Sequence, residues 1–197
     1  MDLVLVRHAL PHRIEESDGP ADPELTEQGH RQADAVAEWL AAEEWDALYA
    51  SPLVRAQQTA EHIAKAIGLD IRTSEDIREY DAGLNAYIPY EELKAARDEH
   101  WVAMAEDRLE DLAPEGAEFR KRVSAAVEEI IANHPGERVI AVAHGGAINV
   151  ALAEVLGLDR DLWVEAAYAS ISRIAASRQG ARSIVSVNET GHLRGLL

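Results

Sequence analysis

Two apolar stretches, DLVLVRH at residues 2–8 and RVIAVAHGG at residues 138–146, decide the fold that this sequence predicts. Each is a short apolar run without a turn residue, which is typical of a strand that is buried on both faces. Each run leads directly into a histidine, His8 in the first stretch and His144 in the second. Because ligands of parallel α/β sheets bind at the carboxyl ends of the strands, we expect both histidines to lie at one site.

Strands and helices are predicted to alternate around these two stretches. Further strands are expected at residues 47–50 and 69–73, and helices after Thr26, from Ser51-Pro52, around residues 119–131 and at 147–156. Residues 170–177 and 182–187 flank Gln179-Gly180 and predict a hairpin. The pattern therefore predicts an α/β fold: a three-layer α/β/α sandwich with a mostly parallel mixed sheet and a C-terminal antiparallel hairpin.

The domain organisation follows from length and composition. A chain of 197 residues with 47% hydrophobic residues suits a single domain, which we place at residues 1–197. Residues 85–120 interrupt the alternation and predict a charged helical insertion. This insertion contains ten acidic and four basic side chains, a net charge of −6.

The net charge of the whole chain limits its partners. Nineteen Lys and Arg against 36 Asp and Glu leave −17, which disfavours nucleic acid and anionic membranes. No apolar run approaches the roughly 18 residues of a membrane span, and the N-terminal run lacks signal-peptide features, so we expect a cytoplasmic protein. The absence of cysteine excludes disulfides, thiolate zinc sites and cysteine nucleophiles.

Two arginines accompany the two histidines. Arg7 precedes His8, and Arg55 is expected in the first turn of the helix that Ser51 would cap. Arginine binds phosphate oxygens through two N–H groups at once, and a helix N-terminus attracts anions. These groups predict a site for a tetrahedral oxyanion despite the negative total, because charges farther than about 8–10 Å are screened at ordinary salt.

Five ordered blocks of the sequence resemble the histidine phosphatase superfamily, which includes the cofactor-dependent phosphoglycerate mutases and many small phosphatases. The blocks are LVRH at residues 5–8, LTEQG with QA at 25–33, SPLVRAQQTA at 51–60, IREYDAG at 77–83 and AHGG at 143–146. NETGHL at residues 188–193 resembles the usual ending of the family. The resemblance implies that the insertion at residues 85–120 is a lid.

The resemblance also implies a two-step phosphoryl transfer without metal or other cofactor. His8 would attack phosphorus and become phosphohistidine, while Arg7, Arg55 and His144 would hold the oxygens, with Gly145 in the same substrate-binding block. His8 must be neutral to attack, whereas His144 works better protonated.

Glu79 would protonate the leaving oxygen and then take a proton from the incoming water. Asp81, two residues away, stays open as the alternative acid, and so does the interpretation of this segment as a solvated acidic loop.

Two positions depart from the family pattern. Ala9 follows His8 where the family has glycine, which is harmless if φ is negative there, and Ile14 replaces an asparagine that contacts phosphate. Arg13 and His12 are candidate replacements for that donor. The Arg-His-Ala-Leu-Pro opening resembles bacterial members, so we expect a small bacterial phosphatase branch.

The predicted function is hydrolysis of a small phosphorylated metabolite. A phosphoglycerate-mutase-type phosphotransferase is the first alternative, but the lid charge of −6 repels a second anionic group. That charge favours a substrate whose remaining part is neutral or positive. Two further alternatives are a non-catalytic phospho-ligand binding module and a metal hydrolase that uses His8, His12 and His144. The oligomeric state stays open, with a homo-oligomer among the options.

The remaining aromatic side chains receive structural interpretations. We expect lid packing, ahead of substrate contact, for Tyr87, Tyr90 and Trp101, and core or helix packing for Trp39, Trp45 and Trp163. Surface positions are expected for His30, His62, His100 and His134, and at most a supporting role for His192.

Overall fold

The strands form one six-stranded sheet in the computed structural model, which describes residues 1–113 and 116–197. In chain order they are β1 (Asp2–Arg7), β2 (Ala47–Ala50), β3 (Ile71–Thr73), β4 (Arg138–Ala143), β5 (Ile171–Ala176) and β6 (Arg182–Glu189). Their order across the sheet is β3-β2-β4-β1-β5-β6. The pairs β1-β4, β2-β4 and β2-β3 are parallel, whereas β5 is antiparallel to β1 and β6. The predicted mixed sheet with a C-terminal hairpin is confirmed.

Helices cover both faces of this sheet. They are α1 (Glu27–Leu40), α2 (Val54–Ile67), α3 (Tyr90–Ala96), α4 (Glu99–Ala105), α5 (Leu109–Leu112), α6 (Gly116–Asn133) and α7 (Gly145–Leu156). Side chains alternate along β1: Leu3 and Leu5 pack with α6 and α7, and Val4 and Val6 with α1 and α2. The three predicted layers are therefore confirmed. Across the two described ranges, we find no helix with the length and hydropathy that a bilayer crossing requires.

The register of β1 against β4 brings the two histidines together. Arg7 lies opposite Ala143 in the parallel ladder, so the residues that follow, His8 and His144, leave the sheet side by side. The backbone N–H of His8 continues the ladder by donating to the carbonyl of Ala143 at 2.9 Å. Both strands are buried apart from their first residue, which explains their uninterrupted apolar sequence.

The start of α2 differs from the prediction. The sequence predicts Ser51 as the cap of this helix, but the helix begins at Val54 with Leu53 at the N-cap. The carboxylate of Asp22 accepts the hydrogen bond of the Val54 N–H at 2.9 and 3.0 Å. The cap is therefore supplied by a distant loop, which leaves the Ser51 hydroxyl to bond His144.

The predicted helical insertion contains α3, α4 and α5, and its positions 114 and 115 lie outside the described residues. Before α3, Tyr87 forms a backbone bridge with Ile14, in which each N–H donates to the other carbonyl at 2.8 and 2.9 Å. This bridge attaches the insertion to the loop that follows β1. Ile14 therefore contributes through its backbone, although its side chain offers no hydrogen-bond donor.

Two side chains lie elsewhere than predicted. Trp39 is 48% exposed, because the buried stripe of α1 includes Val36 and Leu40 and excludes position 39. His134 is buried instead of exposed, and its Nε2 lies 3.0 Å from the hydroxyl of Tyr49. The contact between His134 and Tyr49 joins residues 85 positions apart, so the polarity of the neighbouring sequence could not predict it.

Candidate active site

A cleft of about 350 Å³ opens at the carboxyl ends of β1 and β4. Five of the six predicted site residues line it: Arg7, His8, Arg55, Glu79 and Gly145. The sixth, His144, is fully buried, with its ring centroid 5.1 Å from that of His8. The structure therefore brings together residues that are up to 138 positions apart in the sequence.

The hydrogen bond of His8 defines which ring nitrogen is free. Its Nδ1 lies 2.8 Å from the carbonyl oxygen of Ala9, and because a carbonyl only accepts, Nδ1 carries the proton. Burial first, and then the charges of Arg55 and Arg7, hold the pKa of His8 well below its usual value. At neutral pH the ring is therefore uncharged, with the lone pair on Nε2.

Arg7 is fixed at the end of β1 by contacts from the segment between α7 and β5. Its guanidinium carbon lies 3.8 Å from the ring centroid of Tyr168, and Nη1 donates to the carbonyl of Ala166. The tyrosine ring provides a cation–π contact that holds the charge without neutralising it.

Arg55, in the first turn of α2, is almost completely buried. Its Nη2 donates to Asp81 at 3.0 Å, Nη1 lies 3.6 Å from Asp22, and the guanidinium packs 4.7 Å from the ring centroid of Tyr87. Tyr87 in turn bonds Tyr168 through the two hydroxyls at 3.2 Å. The insertion residue Tyr87 thus contacts the predicted phosphate-binding groups as well as packing against the fold.

Several buried donors at this site have no hydrogen-bond partner in the described protein. They are Nε of Arg7 and Nε and Nη1 of Arg55; Nδ1 of the neutral His144 ring also has no partner there. Buried polar groups are normally paired, and an unpaired one costs about 1–3 kcal/mol. Cationic donors of this kind are what a bound oxyanion would satisfy.

Glu79 is buried beside the N-terminus of α7. Its Oε2 accepts from the backbone N–H of Gly146 at 2.7 Å, and Oε1 accepts from that of Tyr80 at 3.2 Å. Burial, and secondly the charge of Asp81, raise the pKa of Glu79 to about 7. A carboxyl with this pKa can donate and accept a proton at neutral pH.

Gly146 is required by the position of that carboxylate. A Cβ added there would lie 2.3 Å from Oε1 of Glu79, far inside normal contact. The neighbouring Gly145 is different, since its Cβ would meet Nε of Arg7 at an ordinary 3.7 Å. The second glycine of the HGG stretch therefore allows the backbone to bond Glu79 directly.

His144 is neutral in the protein alone, and the protonated form that the sequence favours depends on the charge of a bound phosphate dianion. Burial, and then Arg55, hold its pKa well below the usual value, and its Nε2 lies 2.7 Å from Oγ of Ser51. Desolvation and the nearby arginines both disfavour a further positive charge on the His144 ring.

The departures near His8 are accommodated. Ala9 is buried, its N–H donates to Oγ1 of Thr59 at 3.0 Å, and it is not among the four described non-glycine residues with positive φ. Arg13 points to Glu92 in an exposed ion pair, and His12 is exposed. Neither lines the cleft, so neither replaces the missing asparagine.

Asn149 is a supporting residue that the sequence reasoning missed. Its Nδ2 donates to the carbonyls of Gly145 and Val164 at 2.9 and 2.8 Å, and its Oδ1 accepts from the N–H groups of Trp163 and Val164. One side chain thus joins the start of α7 to the cleft wall. The signal was present, because Asn149 is an isolated amide in an apolar helix.

Within residues 1–113 and 116–197, no three His, Asp or Glu side chains are grouped closely enough to hold a metal ion. In particular, His12 lies outside the cleft that His8 lines, so it is not grouped with His8 and His144.

A neutral histidine with a free Nε2, two buried arginines and a carboxyl of pKa about 7 are the groups that phosphoryl transfer through histidine requires. The sequence model of the histidine phosphatase superfamily (branch 1) matches residues 3–190. The chain belongs to this superfamily, as its five sequence blocks predict.

Individual relatives include both mutase-like proteins and phosphatases. Phosphoglycerate mutase-like protein 4 of Arabidopsis thaliana is 35% identical over 155 residues, which cover 75% of this chain and 67% of that protein. Phosphoserine phosphatase 1 of Hydrogenobacter thermophilus is 32% identical over 162 residues, covering 80% and 77%. A mycobacterial glucosyl-3-phosphoglycerate phosphatase has a similar structure, with a TM-score of 0.75, 26% identity and coverage of 95% and 98%. Two of these three are phosphatases of small phosphorylated metabolites by name, in agreement with the predicted activity.

Proposed function

We propose that this chain is a phosphomonoester hydrolase that needs no metal and works through a phosphohistidine on His8. The observation that carries the proposal is the tautomer of His8. Its Nδ1–H bonds the Ala9 carbonyl, which leaves the Nε2 lone pair beside two buried arginines with unpartnered donors. The substrate would be a small phosphate ester, and the cytoplasm remains the expected location.

In the first step, Nε2 of His8 attacks phosphorus. The N–P bond forms while the bond from phosphorus to the leaving oxygen breaks. Arg7 and Arg55 neutralise the charge on the equatorial oxygens. His144 and the backbone N–H of Gly145, at the N-terminus of α7, offer further donors. The proton that the leaving oxygen needs comes from Glu79, which its pKa of about 7 keeps partly protonated at neutral pH.

In the second step, a water molecule replaces the alcohol. The Glu79 carboxylate takes a proton from this water, whose oxygen bonds to phosphorus as the N–P bond breaks. Inorganic phosphate leaves, and His8 and Glu79 return to their starting protonation states. The arginines hold the same oxygens in both steps, so no metal charge is needed.

Glu79 is a better candidate than Asp81 for this proton transfer. Glu79 is buried and has the raised pKa, whereas Asp81 is partly exposed and forms an ion pair with Arg55. Asp81 instead contributes the negative charge that helps to raise the pKa of Glu79.

The test is chemical trapping with an aryl phosphate whose phosphorus is labelled. Wild-type protein quenched during turnover should carry an acid-labile, alkali-stable phosphoryl group on His8. His8→Ala should carry none and release phosphate at background rate. His12→Ala is the matched control, because this exposed histidine lies four residues away and outside the cleft. Label on any residue other than His8 would contradict the proposal.

The mutase alternative has support from relatives with mutase names, such as the Arabidopsis protein. A mutase returns the phosphoryl group to an acid that already carries negative charge, which the insertion charge of −6 opposes. Incubation with phosphoglycerate and its bisphosphate separates the two functions. Transfer without net release of phosphate would identify a mutase.

The second alternative, a binding module without turnover, is opposed by the fit of Ala9 beside His8. Ala9 and Ile14 motivate this alternative: Ala9 fits the core and leaves the His8 ring in place, whereas the side chain of Ile14 offers no donor to phosphate. Equal, background-level phosphate release from wild type and His8→Ala would nevertheless favour binding alone.

A further inference from the structure

The cleft that holds His8 has a second part, which is apolar. Six side chains, here called the apolar wall, line it: Tyr90, Trp101, Met104, Leu162, Trp163 and Val164. The first three belong to the insertion, and the other three to the segment between α7 and β5. Proton transfer and phosphate binding as proposed above use none of these residues.

Hydrogen bonds within the protein fix the two indole rings of this wall. Nε1 of Trp101 donates to the hydroxyl of Tyr90 at 3.1 Å, and Nε1 of Trp163 donates to the carbonyl of Asn149 at 3.1 Å. The polar edge of each indole is therefore already satisfied. What remains for a ligand is carbon surface, which prefers an apolar and especially an aromatic partner.

Of the three carboxylates that line the described cleft, Asp81 and Glu165 are paired with protein cations, and Glu79 is the proposed acid. Both carboxylate oxygens of Glu165 lie 2.8 Å from Nζ of Lys94, and Asp81 is bonded to Arg55. Lys94 is engaged in this ion pair and does not itself line the cleft. A second anionic group on the substrate would meet these paired charges and the acidic insertion.

Arg160 is the remaining cation among the described residues that line the cleft, apart from Arg7 and Arg55. Its Nε and Nη2 donate to the carbonyls of Leu162 and Ala105. These bonds connect the insertion to the opposite segment, and they use the Nε/Nη2 side of the guanidinium, one of its two bidentate faces. Arg160 therefore acts in the structure as a connection between backbone segments.

We infer that the preferred substrate is a phosphate monoester whose leaving group is uncharged and carries a planar aromatic ring. This inference rests on the proposed hydrolysis at His8. The ring would pack against the indoles of Trp101 and Trp163 while the phosphate contacts the arginines. A cleft of about 350 Å³ is at the small end of small-molecule sites, which fits one ring system besides the phosphate.

The substrate test compares esters of similar leaving-group basicity. Benzyl phosphate and cyclohexylmethyl phosphate are both neutral primary-alcohol esters, and they differ in the planarity of the ring. Phosphoserine and 3-phosphoglycerate add charged groups to the leaving alcohol. We expect kcat/KM for benzyl phosphate to exceed that of each of the others by about tenfold or more.

The variant Trp101→Leu tests whether the wall makes this difference. It should raise KM for benzyl phosphate about tenfold while changing the inhibition constant of inorganic phosphate less than about twofold. Trp39→Leu is the matched control, because it removes an exposed indole on α1 outside the cleft and should change neither value. Faster hydrolysis of 3-phosphoglycerate than of benzyl phosphate, lost in Arg160→Gln, would overturn the inference.

Calorimetric binding of benzylphosphonate, which cannot be hydrolysed, separates this inference from the proposed function. If Trp101→Leu weakens this binding about tenfold, the aromatic preference is supported, whether or not any ester is hydrolysed. If every ester is inert, only the proposed hydrolysis is refuted. Active hydrolysis with equal binding of benzylphosphonate and methylphosphonate would leave the enzyme function intact and overturn the aromatic preference.

Discussion

Gly146→Ala tests the position of the proposed acid, Glu79, without removing any functional group. The added Cβ would lie 2.3 Å from Oε1 of Glu79, whereas ordinary contacts begin at 3.4 Å. The carboxylate is the end of a flexible side chain, so it would retreat by about 1 Å, and the fold would keep its stability to within about 1 kcal/mol. The retreat would weaken the 2.7 Å hydrogen bond from the Gly146 N–H.

Displacing a catalytic group by about 1 Å can lower the rate about 100-fold, equivalent to about 2.7 kcal/mol. We expect this loss in kcat/KM for benzyl phosphate, whose leaving oxygen requires a proton. The loss should be several-fold smaller for 4-nitrophenyl phosphate, whose leaving group departs as an anion. Inhibition by inorganic phosphate should change little, because the arginines remain in place.

Gly145→Ala is the matched comparison, since its Cβ would meet Nε of Arg7 at 3.7 Å without a clash. Its effect on kcat/KM should be much smaller than that of Gly146→Ala. Equal losses in the two variants would refute the geometric reasoning. Equal losses on the two esters in Gly146→Ala would refute Glu79 as the donor to the leaving oxygen. Urea unfolding of both variants confirms that activity is compared between folded proteins.

Two further predictions concern the acid and the fold. Asp81→Asn removes a negative charge that raises the pKa of Glu79, so that pKa should fall below about 7 and the alkaline limb of the kcat/KM profile should move to lower pH; an unmoved limb would assign the titration to another group. Gly29→Ala places a Cβ 2.1 Å from the Leu10 carbonyl oxygen and should lower the free energy of unfolding by about 2 kcal/mol or more, measured in urea, whereas Gly19→Ala, with no atom within 4 Å, should change it by less than about 0.5 kcal/mol.

Local sequence patterns predicted the helices and strands well where residues close to the element mark its ends. The strands at residues 47–50 and 138–143 match residue for residue, and Thr26 caps α1 by accepting from the N–H of Gly29. The prediction of Ser51 as the cap of α2 was wrong, because the carboxylate of Asp22, 32 residues away, accepts from the Val54 N–H. A pattern in a short window does not include a partner at that distance.

The residues of the candidate site were likewise predicted only in part. The sequence identified His8, Arg7 and Arg55, because each lies at a predicted strand or helix end and in a recognisable block. It left Glu79 and Asp81 unresolved, because two carboxylates two residues apart look alike in a sequence. In the structure one is buried against Gly146 and the other is paired with Arg55.

By itself the sequence determined the order of the elements, the family and the residue types available for phosphoryl transfer. Only the tertiary structure decided the tautomer of His8, the pKa of about 7 at Glu79 and the aromatic character of the apolar wall. The physical reason is that composition and periodicity are properties of neighbouring residues. Desolvation, charge interactions and cavity walls depend on distances between residues that are far apart in the chain.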